Sequence, residues 1–130
     1  MNVLIVDDDA AIVRMVERIL SKEGHQVSSE SNGRSALARA HALRPDLILL
    51  DIMMPGIDGL AVLAEIRRTP ALEHTRIVML TARSQGLDKF TSLKTGADAY
   101  IIKPFTVEQL LHGISHVSSL PPAGAAKPGS

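Results

Sequence analysis

Cysteine is absent from the chain, which removes disulfides, thiolate nucleophiles and zinc-thiolate centres together and fits a reducing compartment. An excess of charge is absent too. Lysine plus arginine (14) balances aspartate plus glutamate (14), so no net field draws the chain onto phosphate backbones or anionic lipid, and direct nucleic-acid binding is not expected. No apolar run approaches the length of a membrane span, and the opening MNVLIVDDD has no basic lead-in. The expectation is a soluble, cytoplasmic chain with no membrane partner. What is present is apolar material, 45% of 130 residues, enough for one ordinary core and one compact domain.

Apolar runs of strand length alternate with segments of helical period. Val3 to Val6 reads as a strand, and Ile12, Val13, Val16, Ile19 and Leu20 as the buried stripe of a helix ending at Gly24. His25 to Glu30 is extended again, and Asn32-Gly33 opens a helix carrying Ala36, Leu37 and Ala40 that Pro45 stops. Leu47 to Leu50 reads as a strand buried on both faces, and Leu60, Leu63 and Ile66 mark a helix after an Asp58 cap. Ile77 to Leu80 is the next strand, followed by a thin helical stripe of Leu87, Phe90 and Leu93 that ends at Gly96. Tyr100 to Ile102 is the fifth strand, and Val107, Leu110, Leu111, Ile114 and Val117 give the clearest helical period.

Five strand-helix units joined by short loops imply a doubly wound α/β fold, a five-stranded parallel sheet with helices on both faces. Residues 1–118 form this domain. The remainder, 119–130, belongs to SSLPPAGAAKPGS, too poor in large apolar residues to offset the entropy of its own ordering, and reads as a flexible linker or tail.

In such sheets chemistry collects beyond the carboxyl ends of the strands. The first strand ends in Asp7-Asp8-Asp9, the third in Asp51, the fourth in Thr81-Ala82 and the fifth in Lys103-Pro104; the second ends in the less informative Ser29-Glu30. Carboxylates gathered at one edge repel one another, each pair by roughly 4 kcal/mol at about 4 Å and an effective dielectric near 20. Cationic partners are therefore required: Lys103 is one, and a hard-oxygen set without His or Cys suits Mg²⁺, with Mn²⁺ a substitute. Asp9 is the member of the triplet best placed as a simple helix cap. Beside a divalent cation and a lysine, Asp51 becomes a candidate nucleophile toward phosphorus, held rigid by its apolar strand and left exposed by the turn that follows at Pro55-Gly56.

The segments LIVDDD, LILLDIMMPGIDG, IVMLTA and GADAYIIKPF follow one another on successive strands with the spacing of the response regulator receiver domain, and over residues 2 to 118 the chain resembles that family. The resemblance implies the (βα)5 flavodoxin-like receiver fold. It also implies a signalling phosphoacceptor rather than an enzyme acting on a separate substrate: Asp51 takes a phosphoryl group from a sensor histidine kinase or a histidine phosphotransfer protein, and the domain loses it by slow autodephosphorylation. Asp7, Asp8, Asp51 and the backbone carbonyl of Met53 are the implied Mg²⁺ ligands, and Lys103, before a Lys-Pro bond usually cis in the family, pairs with a phosphoryl oxygen. Thr81 and Tyr100 match the switch pair, through which phosphorylation resets the surface of the fourth helix, fifth strand and fifth helix toward an output domain or effector protein. The family includes monomers and phosphorylation-driven homodimers.

Departures are equally informative. In the winged-helix branch of the family the acid of the GAD segment, here Asp98, pairs across a dimer with an arginine of the fifth helix, whereas this chain has Gly113 near that place and His112 as the nearest substitute. Met53 and Arg83 occupy positions that tune phosphoryl hydrolysis, and two bulky side chains there imply a phosphoryl group that is not especially short-lived. None of His25, His41, His74, His112 and His116 converges on the acidic edge; His112 and His116 are one turn apart, on a helix face read as solvated. A haloacid-dehalogenase type of phosphatase would place its nucleophile on the first strand in a DxD segment, where this chain has DDDAA. A phosphorylation-independent scaffold is the other rival, but it has no need of mutually repelling carboxylates.

Overall fold

The computed structural model describes residues 1–54, 59–82 and 96–119. Five strands, β1 (Asn2–Val6), β2 (Gln26–Glu30), β3 (Leu47–Asp51), β4 (Arg76–Ala82) and β5 (Ala99–Lys103), form one parallel sheet in the order β2-β1-β3-β4-β5. Four described α-helices, α1 (Ala10–Lys22), α2 (Gly33–Leu43), α3 (Gly59–Arg67) and α4 (Val107–Ser118), accompany a 3₁₀ turn at Pro70–Leu72. This is the doubly wound five-stranded α/β architecture expected from the alternation. The Leu87, Phe90 and Leu93 stripe, the Pro55 to Asp58 turn with its helix cap, Arg83 and residues 120–130 lie outside the described residues.

Side chains alternate across the sheet and divide the core in two. Leu4, Val6, Ile48, Leu50, Ile77 and Met79 pack on one face against Ala36 and Ala40 of α2 and Val62, Leu63 and Ile66 of α3. Val3, Ile5, Leu47, Leu49, Val78 and Leu80 pack on the other against Val16 and Leu20 of α1 and Leu110, Ile114 and Val117 of α4. Central β3 is buried along its whole length, while β2 and β5 form the half-exposed edges.

The helix ends follow local chemistry. Asp9 caps α1, accepting from the amides of Ala11 (2.9 Å) and Ile12 (3.3 Å), so one carboxylate of the DDD run is the cap. Asn32 caps α2 through Ser35 N, and Thr106 and Gln109 close a capping box on α4. Helix α2 terminates on Arg44, whose φ of 46° is left-handed, with its amide donating to Ala40 O. Pro45, next in the chain, disfavours the right-handed helical conformation at that residue.

One ion pair fastens the amino end of β4. Arg67, the last residue of α3, donates from Nε to Gly96 O (2.8 Å), from Nη1 to Thr75 O (2.9 Å) and from Nη2 to Asp98 Oδ2 (2.9 Å). The same Asp98 oxygen accepts the amide of Ile77 at 2.8 Å. Burial draws the Arg67 pKa down and Asp98 pushes it back up. Asp98 is thus engaged within its own chain, and Gly113 faces β5, where an added Cβ would stand 3.0 Å from Ile101 Cδ1. The acid of that winged-helix pairing is therefore present but committed to Arg67, and Gly113 carries no arginine.

Candidate functional site

Strand order sets the location. The connections run from β1 outward to β2 in one direction and through β3 to β5 in the other, so a crevice opens beyond the carboxyl ends of β1 and β3. Asp7 follows β1, and Asp51 and Lys103 end β3 and β5. Register and alternation put all three on the α1/α4 side, in step with Ile5, Leu49 and Ile101.

The three meet. Lys103 Nζ donates to Asp7 Oδ2 at 2.7 Å and lies 3.6 Å from Asp51 Oδ1. Carboxylate oxygens of Asp7, Asp8 and Asp51 all fall within 4.8 Å of one another, a group of three able to hold a metal ion. Asp8 is exposed and Asp7 buried, and Asp51, expected to be left exposed at the strand end, is buried too, because it is still paired in the ladder of the central strand. Asp7 also accepts the Asp9 amide at 2.9 Å, and the Met53 amide reaches Asp51 Oδ1 at 3.4 Å. A cleft of about 330 Å³, lined by Asp7, Asp8, Arg14, Ser29 and Glu30, opens beside them. The end of β2, uninformative in the sequence, is therefore a wall of this opening.

Asp51 has its pKa raised from 3.8 to about 6. Loss of hydration is the largest cause and the Asp7 charge the next, while Lys103 and the Met53 amide pull the other way and Asp8 adds a further upward push. A shift of about two units corresponds to about 3 kcal/mol against the ionised form. The four fully buried aliphatic residues of β3, Leu47 to Leu50, contribute on the order of 6–12 kcal/mol, enough to keep the carboxylate in place. A divalent cation fits this set: the ligands are oxygens, their excess negative charge exceeds what one ammonium neutralises, and the exposed side leaves room for water.

Gly59, the first residue of α3, seals the floor. Its amide donates to Ile52 O at 2.7 Å, and a Cβ there would collide with the Asp51 carbonyl oxygen and approach Ile52 Cα to 2.8 Å. Gly59→Ala is expected to lower stability by about 1–3 kcal/mol through overpacking, measured as a shift in urea midpoint. A midpoint equal to that of the parent would mean that the β3-α3 connection yields freely.

Thr81 and Tyr100 lie on the opposite side of the sheet from Asp51. Thr81 is buried with its hydroxyl 3.3 Å from Ala82 O, and Tyr100, paired in register with Met79, packs half-buried against the α2/α3 core. Met53 is 60% exposed. The Lys103–Pro104 peptide bond is cis.

The family model described as the response regulator receiver domain matches residues 3–115. The chain belongs to that family. Among curated relatives, the receiver is 43% identical over 103 residues to the transcriptional regulatory protein AfsQ1 of Streptomyces coelicolor, covering 79% of this chain and 44% of that one. It is 40% identical over 116 residues to the response regulator ArlR of Staphylococcus epidermidis, covering 89% and 52%. The receiver thus spans about half the length of the curated relatives it matches. The structure of chemotaxis protein CheY4 of Vibrio cholerae superposes with a TM-score of 0.81 at 33% identity, over 89% of this chain and 97% of that one. Among the described residues no helix is long and apolar enough to cross a membrane.

Proposed function

We propose that Asp51 is the phosphoacceptor of this receiver. The reading rests chiefly on one arrangement, a buried strand-end carboxylate 3.6 Å from the Lys103 ammonium within a group of three carboxylates. In the proposed step an Asp51 carboxylate oxygen attacks the phosphorus of a phosphohistidine on a sensor histidine kinase or histidine phosphotransfer protein. The P–O bond to Asp51 forms as the P–N bond breaks, and the imidazole nitrogen leaves with the bonding electron pair. Lys103 pairs with a phosphoryl oxygen, exchanging its contact with Asp7 for the arriving negative charge. Asp7, Asp8, Asp51 and the Met53 carbonyl would hold Mg²⁺, or Mn²⁺, which supplies charge neutralisation for the transferring group.

Thr81 is proposed to move its hydroxyl toward the phosphoryl group and Tyr100 to turn inward, so that a local contact biases the output surface to which β5 and α4 belong. That surface would act on an output domain or effector; the transcriptional regulators among the relatives favour an output in transcription. Residues 119–130 are proposed as the linker to it, in a cytoplasmic protein. Exposed Met53 would hinder the water that hydrolyses the acyl phosphate, so autodephosphorylation should be slow.

Acetyl phosphate bypasses the kinase and tests the chemistry directly by intact mass. The expected result is a gain of one phosphoryl group that requires Mg²⁺, is absent in Asp51→Asn, and persists beyond seconds after donor removal. A gain that survives in Asp51→Asn would move the nucleophile elsewhere. No gain in the parent protein, together with no transfer from a phosphorylated histidine kinase, would favour a phosphorylation-independent scaffold.

A further inference from the structure

A second set of potential metal ligands lies well away from the acidic edge in chemical character. His112 and His116 stand one turn apart on the exposed side of α4, their rings stacked with centroids 6.5 Å apart and planes inclined by 14°. The helix beneath them is held on three sides. Leu110, Ile114 and Val117 bury its inner face, the Thr106–Gln109 capping box fixes its start, and Ser119 donates from N (3.2 Å) and Oγ (2.8 Å) to His116 O at its end. Only side-chain rotation remains to be lost on binding, which lowers the entropic cost of bringing two ligands together.

Imidazole nitrogen suits borderline divalent ions such as Zn²⁺, Cu²⁺ and Ni²⁺, whereas the Asp7, Asp8 and Asp51 set offers hard oxygen alone. With metal–nitrogen bonds of about 2.0–2.1 Å and a tetrahedral angle between them, the two ring centroids would sit about 5 Å apart. The observed 6.5 Å between near-parallel rings is wider, so both side chains must rotate to aim one nitrogen each at a common ion. Glu108, one turn earlier on the same exposed face, adds negative charge nearby.

We propose that His112 and His116 form a bidentate site for a transition-metal dication of the zinc, copper or nickel class, with water in the remaining positions. An ion there places positive charge on α4, part of the face assigned above to output; binding itself does not depend on that assignment or on phosphorylation.

The test is calorimetric titration of the untagged full chain with Zn²⁺ in excess Mg²⁺, which keeps the carboxylate edge occupied by the harder ion. One zinc per chain is expected, with affinity reduced at least about 10-fold in His112→Ala and in His116→Ala and unchanged in His41→Ala, since losing a direct ligand should cost no less than losing a supporting contact. In the parent protein the side-chain nitrogen resonances of both histidines should shift together during the titration, a readout independent of how the variants fold. Undiminished affinity in both alanine variants, or resonances of His112 and His116 that stay in place as zinc is added, would overturn the proposal.

Discussion

Arg67→Ala is expected to destabilise the domain by about 3–5 kcal/mol, the range for breaking a buried ion pair from one side. The guanidinium has three separate acceptors, Gly96 O, Thr75 O and Asp98 Oδ2, and the side chains of Arg67 and Asp98 are only 12% and 8% exposed. Truncation leaves the Asp98 carboxylate buried without its guanidinium partner, though still accepting the Ile77 amide, and takes a donor from two carbonyls. Arg67→Lys should fall between parent and alanine variant, because a compact ammonium retains the charge but cannot span three acceptors placed around a planar fork. The site chemistry should be separable from this loss. Arg67 acts at the amino end of β4, where Leu47 pairs with Arg76, while Asp51 lies at the other end of the neighbouring strand. Urea unfolding of the two variants measures the effect, and a loss below about 1 kcal/mol for alanine would mean that water replaces the guanidinium at little cost.

Nothing local in the sequence marks Arg67. It stands in the last turn of an amphipathic helix, where a basic residue is ordinary, and its partners lie 8, 29 and 31 positions away. The strand and helix pattern was legible for the opposite reason: it is carried by neighbours. Four apolar runs and the extended segment at β2, separated by segments of helical period, sufficed for a parallel sheet, and β3 is the strand buried at every position. Strand ends were less legible. Asn2, Arg76 and Lys103 join the ladder through backbone pairing although their side chains are polar, so each strand extends past its apolar run. The short turn at Pro70–Leu72 left a trace in Thr69-Pro70, a helix-start pair, but three residues are too few to register as a period.

The acidic edge was legible because every component sits at the end of an apolar run, and parity then fixes which face it takes. Asp7, Asp51 and Lys103 are each two positions beyond a residue of the α1/α4 core, and the structure brings them together. What the pattern could not convey is the division of labour among carboxylates. Asp8 is exposed and Asp7 wholly buried against Lys103, although they are adjacent and their carboxylates share one cluster. The perturbation of Asp51 is likewise a product of three-dimensional surroundings, burial first and Asp7 second.

That perturbation has a consequence for stability with a definite sign. In metal-free buffer, Asp51→Asn is expected to be more stable than the parent by about 3 kcal/mol at pH 7, a shift of about two units at 1.36 kcal/mol each. The folded carboxyl titrates near 6 and the ordinary value is 3.8, so between these values the native state keeps a proton that the unfolded chain has released. Stability of the parent therefore falls as pH rises from about 4 to about 6 and changes no further from this source above that. Other carboxylates contribute their own pH dependence to both proteins, which makes the difference between them the informative quantity. It should be small at pH 4, grow through pH 5, and reach its full size by pH 7. Excess Mg²⁺ should shrink it, since an ion held by the ionised cluster stabilises the parent by mass action, about 2.7 kcal/mol at a hundredfold excess over Kd, and the asparagine variant offers one charged ligand fewer. A difference that stays flat from pH 4 to pH 7 would mean that Asp51 ionises in the fold as easily as in water, and that Lys103 alone balances the carboxylates that the strands bring to this edge.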